Sequence, residues 1–247
     1  MANVAAILCA AGGSSRFGGK RKKPFVDVGG RAAFLRSVEL FTDRTDVKQV
    51  LLAIAPEDRD LVELKWGANL TFFGVKICLG GQERFDTVRN ALALIKPDID
   101  LVAVHDTARC CVTADLVDRV IAAADEHGAA LPGYPVIPTL KAVDNGFVQK
   151  TVCRDGLYEV QTPQIFRKAL LEKAYEQVEA LKAQGVSISD DAQLVESLGE
   201  KIAIVPSDPS NVKLTYPTDV AIAEAILKSR PKLKPEGPIG PYIEAQW

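Results

Sequence analysis

Several kinds of segment that would define a protein class are missing from this chain. No apolar run approaches the ~20 residues a membrane helix needs, and no cationic stretch precedes the first apolar run as in a secretory leader. A cytoplasmic location is therefore expected. The cysteines, Cys9, Cys78, Cys110, Cys111 and Cys153, are odd in number and never spaced as Cys-x-x-Cys. That pattern suggests neither a disulfide framework nor a zinc site, and five reduced, mostly buried thiols are expected. Lys and Arg total 30 against 32 Asp and Glu, a formal net charge of −2, so the large basic excess of a general nucleic-acid binder is absent. Internal repeats and low-complexity domains are absent too. What remains is a 247-residue chain, 47% hydrophobic, with ample material for a core.

Its positive charge is local. An apolar run of strand length, Asn3 to Ala10, empties into Ala11-Gly12-Gly13-Ser14-Ser15-Arg16 and then Lys20-Arg21-Lys22-Lys23-Pro24. Small residues followed by clustered cations suit the meeting of backbone N–H groups and positive side chains with a polyphosphate. A Walker loop is excluded, because the nearest window ends Gly19-Lys20-Arg21. The dinucleotide fingerprint fails as well, since Gly12, Gly13, Gly18 and Gly19 miss its offsets. The window reads as a nucleoside triphosphate site in which Arg16 and Lys23 reach phosphates, while Lys20, Arg21 and Lys22 form a solvated run. The plainer alternative is a strand-to-helix turn followed by surface charge.

Strand-like runs at 50–55, 75–79 and 101–105 alternate with helical periodicity at 32–41, 87–95 and 114–126. Such alternation predicts parallel βαβ units with ligands at the carboxyl ends of the strands. The loops at those ends are Ala10–Lys23, Gly80-Gly81-Gln82-Glu83-Arg84 and His105-Asp106-Thr107-Ala108-Arg109. From 136 to 152 the rhythm becomes two strands about Asp144-Asn145-Gly146, which predicts a hairpin projecting from the domain and able to pair with another subunit. Helices are expected at 167–184, 190–198 and 218–229 and a strand at 201–205. Asp106, just past an apolar strand, is placed to hold a substrate hydroxyl or help position Mg²⁺. His105 is expected to pack or orient its loop, and His127 beside Gly128 to be structural at a helix end.

Ala10-Ala11-Gly12…Arg16…Lys23, Gly80-Gly81-x-Glu83-Arg84, Val104-His105-Asp106-x-Ala108-Arg109, Thr162-Pro163-Gln164 and Asn211-x-Lys213-x-Thr215 occur in order over nearly the whole chain. Together they closely resemble the 2-C-methyl-D-erythritol 4-phosphate cytidylyltransferases. The resemblance implies a Rossmann-like (GT-A-like) nucleotidyltransferase with a mostly parallel sheet. It implies one domain over 1–229 including a dimerisation arm at about 137–161, then a proline-rich tail at 230–247. The implied reaction joins CTP to methylerythritol phosphate with release of pyrophosphate, in the non-mevalonate route to isoprenoid precursors, assisted by Mg²⁺ held mostly by the CTP phosphates with Asp106 as its protein ligand.

Residue by residue, the resemblance assigns Arg16, Lys23, Lys213 and Arg154 to catalysis. Ala10, Ala11, Gly12, Gly13, Gly80, Gly81, Gln82, Thr87, Asp106 and Thr107 fall to CTP. Asp106, Arg109, Thr139, Arg154, Ser189, Lys213 and Thr215 fall to the second substrate, with Thr162 fixing the exit of the hairpin. Arg154 is expected to act in the neighbouring subunit's site, which implies a homodimer. Cys110, Pro138 and Ser189 differ from the family's usual residues near the sugar phosphate. A cytidylyltransferase for ribitol 5-phosphate or another polyol phosphate thus stays open, as does a catalytically silent nucleotide-binding homologue or dimeric scaffold.

Overall fold

A computed structural model describes residues 2–13, 17–18 and 22–231. The first apolar run forms β1 (Val4–Cys9), and its residues from Val4 to Leu8 are all fully buried. A strand is buried on both sides only where both faces of its sheet are covered. Successive side chains point to opposite faces, so Val4, Ala6 and Leu8 enter one core while Ala5 and Ile7 enter another.

The chain continues through a 3-10 turn at Lys23–Phe25, a small hairpin of β2 (Asp27–Val28) and β3 (Arg31–Ala32), then α1 (Ala33–Thr42) and β4 (Val47–Ile54). After a second 3-10 turn at Pro56–Asp58 come α2 (Arg59–Phe72), β5 (Lys76–Leu79), α3 (Arg84–Leu92), β6 (Leu101–Asp106), α4 (Ala114–His127) and β7 (Ala129–Pro135). The arm holds β8 (Leu140–Asp144) and β9 (Phe147–Val152). The chain closes with β10 (Tyr158–Val160), β11 (Gln164–Arg167), α5 (Lys168–Tyr175), α6 (Val178–Ala183), α7 (Asp191–Glu196), β12 (Ala203–Pro206) and α8 (Thr218–Ser229).

The main sheet runs β5-β4-β1-β6-β11-β7, with β10 and β12 also paired to β7. Strands β5, β4, β1 and β6 are parallel, and β11 lies antiparallel between β6 and β7. One face is covered by α1, α2 and α4 through Phe34, Val38, Val62, Trp66, Leu116 and Val120. The other is covered by α3, α5 and α7 through Phe85, Val88, Leu171 and Leu194. A third cluster, with Val28, Ala108, Cys111, Leu214 and Ala223, fastens α8 and the Lys213 loop to the end of the sheet that carries the site.

This arrangement bears out the expected parallel α/β fold. Because the chain moves from β1 out to β4 and β5 and then returns to β6 on the other side, the strand order reverses between β1 and β6, the switch point at whose carboxyl ends a ligand crevice is expected. The predicted hairpin turn is present, with Asn145 at φ 49° and Gly146 at φ 83°, the paired positive angles of a type I′ turn. Gly128, at φ 89°, ends α4 in the left-handed conformation. All five thiols are free, and Cys153 is the exposed one. The helix expected over 167–184 is broken into α5 and α6, with Glu176 and Gln177 between them. Helix α2 had no sequence expectation; Leu61, Leu64 and Phe72 on its outer face blur the apolar stripe of Val62, Trp66 and Leu70.

Candidate active site

At the carboxyl edge of the sheet a cavity of about 280 Å³ opens among the loops after β1, β5 and β6 and the Lys213 loop. The loops are locked to one another by main-chain geometry. Thr107 donates its N–H and its hydroxyl to the Cys9 carbonyl, at 3.1 and 2.9 Å, tying the β6 loop to β1. Gly80 donates to the Ile54 carbonyl at 2.8 Å, and Gly81 donates to Thr87 Oγ1 at 3.1 Å. A Cβ on Gly80 would lie 2.5 Å from Ala11 Cβ and 2.8 Å from Thr87 Oγ1, and one on Gly81 would collide with Asp86. Glycine is therefore required where the β5 loop crosses under the β1 loop. Helix α3 begins there with a capping box between Glu83 and Asp86.

The charged centre is built on Asp106, whose N–H donates to Thr162 Oγ1 at 3.1 Å. Lys213 Nζ donates to Asp106 Oδ2 at 2.5 Å and Arg84 Nε to Asp106 Oδ1 at 3.3 Å. Burial alone would raise the Asp106 pKa, but Arg84, Lys213 and Arg109 overcome it and hold the carboxyl far below the usual carboxylate range. Behind Arg84 lies Asp191, fully buried, which accepts from Arg84 Nη1 at 2.6 Å and from the Tyr175 hydroxyl at 2.5 Å. Burial pushes the Cys9 thiol well above its ordinary value, so it sits at the cavity as a neutral group. Burial also lowers His105 to about 4, leaving a neutral imidazole whose Nδ1 lies 3.1 Å from Thr162 Oγ1.

The cavity wall brings together Ala11, Gly12, Gly13, Lys23, Gly81, Gln82, Thr87, Asp106, Thr107 and Lys213 of the expected site residues. Ala10 and Gly80 lie buried behind that wall. Arg109 does not line the cavity; its guanidinium donates to the carbonyls of Asn211 at 2.8 Å and Val160 at 3.3 Å, so it braces the Lys213 loop against the arm's exit. Thr215 donates its hydroxyl to the Lys213 carbonyl at 3.2 Å, and Ser189 donates to Gln193 Oε1 at 3.0 Å. Thr139 and Arg154 are exposed on the arm, outside the lining of this subunit's cavity. Arg16, Lys20 and Arg21 lie outside the described residues. Lys22, expected in a solvated run, instead pairs with Glu57 at 2.7 Å and Asp58 at 2.8 Å.

Sequence reasoning gave no role to Arg84, Asp191, Tyr175 or Cys9. Arg84 was signalled by its glycine loop. Asp191 was hidden in the pair Asp190-Asp191, which reads as a helix cap, and Asp190 does cap α7 by accepting from Gln193 N at 3.0 Å. Among the described residues no three His, Cys, Asp or Glu side chains converge to hold a metal. Asp106 suits a Mg²⁺ ion that brings substrate phosphates as its other ligands, since that ion is commonly bound through one or two carboxylates plus phosphate.

A mostly parallel α/β sheet with glycine-lined loops and a lysine–carboxylate–arginine set at its carboxyl edge fits a nucleotidyltransferase. Residues 4–229 match the family model of 2-C-methyl-D-erythritol 4-phosphate cytidylyltransferase. The chain is 40% identical over 226 residues to the curated enzyme of that name from Frankia casuarinae, covering 91% of this chain and 81% of the relative. It is 38% identical to the one from Geobacillus thermodenitrificans, covering 92% and 98%. The crystal structure of the Thermus thermophilus cytidylyltransferase superposes with a TM-score of 0.73 at 35% identity, covering 90% of this chain and 98% of that one. The chain belongs to the 2-C-methyl-D-erythritol 4-phosphate cytidylyltransferase family.

Proposed function

We propose that this protein transfers CMP from CTP to 2-C-methyl-D-erythritol 4-phosphate, forming 4-diphosphocytidyl-2-C-methyl-D-erythritol and pyrophosphate. The observation that carries the reading is the Lys213–Asp106–Arg84 set in a cavity whose wall includes Gly12 and Gly13, where open space lies in place of a Cβ and a nucleotide can approach main chain. A phosphate oxygen of the polyol attacks the α-phosphorus of CTP; the bond to the bridging oxygen breaks and pyrophosphate departs. The attacking phosphate is already ionised, so no protein base is required, and the neutral His105 and Cys9 fit that chemistry.

Catalysis then rests on in-line positioning and on cations preorganised around the charge gathering at phosphorus. Lys23 at the cavity wall and Arg16, seven positions earlier in the sequence, stabilise that charge and the departing pyrophosphate. Lys213, whose side chain is 41% exposed, can exchange Asp106 for a phosphate oxygen. Asp106 holds a substrate hydroxyl and is the one protein carboxylate assigned to Mg²⁺, which when bound would neutralise phosphate charge.

Arg154 acts in the partner subunit's site, and Thr139, on the same arm, binds the polyol phosphate. Support for a homodimer is the apolar exposure of the arm, where Val143, Phe147 and Val148 are 59%, 75% and 61% exposed on a two-stranded sheet too small to be stable alone. No helix of the described residues is long and apolar enough to cross a membrane, and a cytoplasmic enzyme is proposed.

The test is pyrophosphate release from CTP and Mg²⁺ with methylerythritol phosphate or ribitol 5-phosphate offered separately. Strong preference for methylerythritol phosphate is expected. Preference for ribitol phosphate would reassign the second substrate, and release with neither would overturn the reading. Mixing inactive Arg154→Ala chains with inactive Lys213→Ala chains should restore activity in hybrid dimers.

A further inference from the structure

Arg84 is the first residue of α3 and one end of a chain of contacts that crosses from the cavity into the core. Its guanidinium faces two carboxylates with different atoms, Nη1 donating to Asp191 Oδ2 at 2.6 Å and Nε to Asp106 Oδ1 at 3.3 Å. Asp191, on α7, is fully buried, and its other oxygen accepts from the hydroxyl of Tyr175 on α5 at 2.5 Å. The tighter contact is thus on the side that cannot hydrate. A buried ion pair is weak evidence for stability in itself, since an apolar replacement often serves as well, so this pair calls for another explanation.

We infer that Arg84 is a positioning residue for Asp106, held in one orientation by the buried Asp191–Tyr175 pair. This deepens the proposed cytidylyltransferase reaction and rests on that reading. Asp106 has two cationic partners of unequal mobility. Lys213 comes from a loop and its side chain is 41% exposed, whereas that of Arg84 is 28% exposed and clamped from behind. When Lys213 turns to a substrate phosphate, Arg84 stays and keeps the Asp106 carboxylate paired and in plane for a hydroxyl. A lysine at position 84 would supply the charge without the rigid fork that reaches both carboxylates at once.

The experiment is a double-mutant cycle on the full chain, with kcat/KM from pyrophosphate release and CTP affinity measured in parallel. Arg84→Gln should lower kcat/KM at least tenfold when Asp106 is present and no more than twofold in an Asp106→Asn background. Arg84→Lys should behave like Arg84→Gln, and it carries the same cycle should the Gln variant fail to fold. Tyr175→Phe, which leaves both carboxylates in place, should lose only a few-fold. Equal losses in both backgrounds, in both readouts, would mean that Arg84 contacts substrate itself or serves the fold alone, and the inference would fall. Lack of turnover by the unmodified chain would defeat the proposed reaction, while the cycle on CTP affinity would still judge the role of Arg84.

Discussion

Replacing His105 by Gln should remove an acid-sensitive part of this protein's stability. His105 is fully buried on β6, against Phe41 with ring centroids 5.5 Å apart, and its Nδ1 lies 3.1 Å from Thr162 Oγ1. Burial opposes a charge here; Asp106 favours one, while Arg109 and Lys213 disfavour it, and the pKa falls from 6.5 to about 4. The unfolded chain therefore binds a proton between those values and the folded chain does not, so stability rises with pH across that window and falls on acidification. With these two pKa values the linkage term is about 2 kcal/mol at pH 5 and about 3 kcal/mol at pH 4, relative to neutral pH. Urea unfolding at pH 7.5 and pH 5 would measure it, with the loss on acidification about 2 kcal/mol smaller in the Gln variant. Identical losses in the two proteins would refute the buried neutral histidine.

Gly80→Ala should destabilise the fold by about 1–3 kcal/mol and weaken CTP binding, because its Cβ must displace Ala11 and Thr87 at the cavity wall; an unchanged melting temperature and affinity would contradict the close loop crossing. Lys23→Ala and Arg16→Ala should each reduce kcat by about 10²–10³ with the circular dichroism spectrum intact, by analogy with the loss of one transition-state hydrogen-bond donor, and near-normal kcat in either would remove that role. Arg109→Lys should lower stability by about 1–3 kcal/mol, since two carbonyls lose a forked donor in a buried place. A raised KM for the polyol phosphate at unchanged stability would instead show Arg109 acting on the substrate.

The sheet was readable because its strands carry local signals. Burial on both faces makes β1, the second half of β4 and most of β6 apolar runs, and α4 is bounded by the Thr113 cap and by Gly128. Strands β7 and β11 were not readable: Ala129–Pro135 contains two prolines and a glycine, and its strand character comes from pairing with β10, β11 and β12. In the same way, Glu176 and Gln177 continue a helical pattern by composition, yet the chain turns there so that Tyr175 can reach Asp191 and Val178 can enter the core.

By itself the sequence determined the alternation of strands and helices, the small-residue loops that let a nucleotide approach main chain, the type I′ turn of the arm and, through five ordered motifs, the family. Each of these is written in neighbouring residues. Which charges meet was decided only by tertiary structure. The bonds from Arg84 to Asp191 and from Lys213 to Asp106 both join residues 107 positions apart. The same folding set Arg109 against main-chain carbonyls and drew Lys22 from a surface run to Glu57 and Asp58. The physical reason is that a cation's partner depends on distance and desolvation, and both are fixed only when elements remote in sequence pack together.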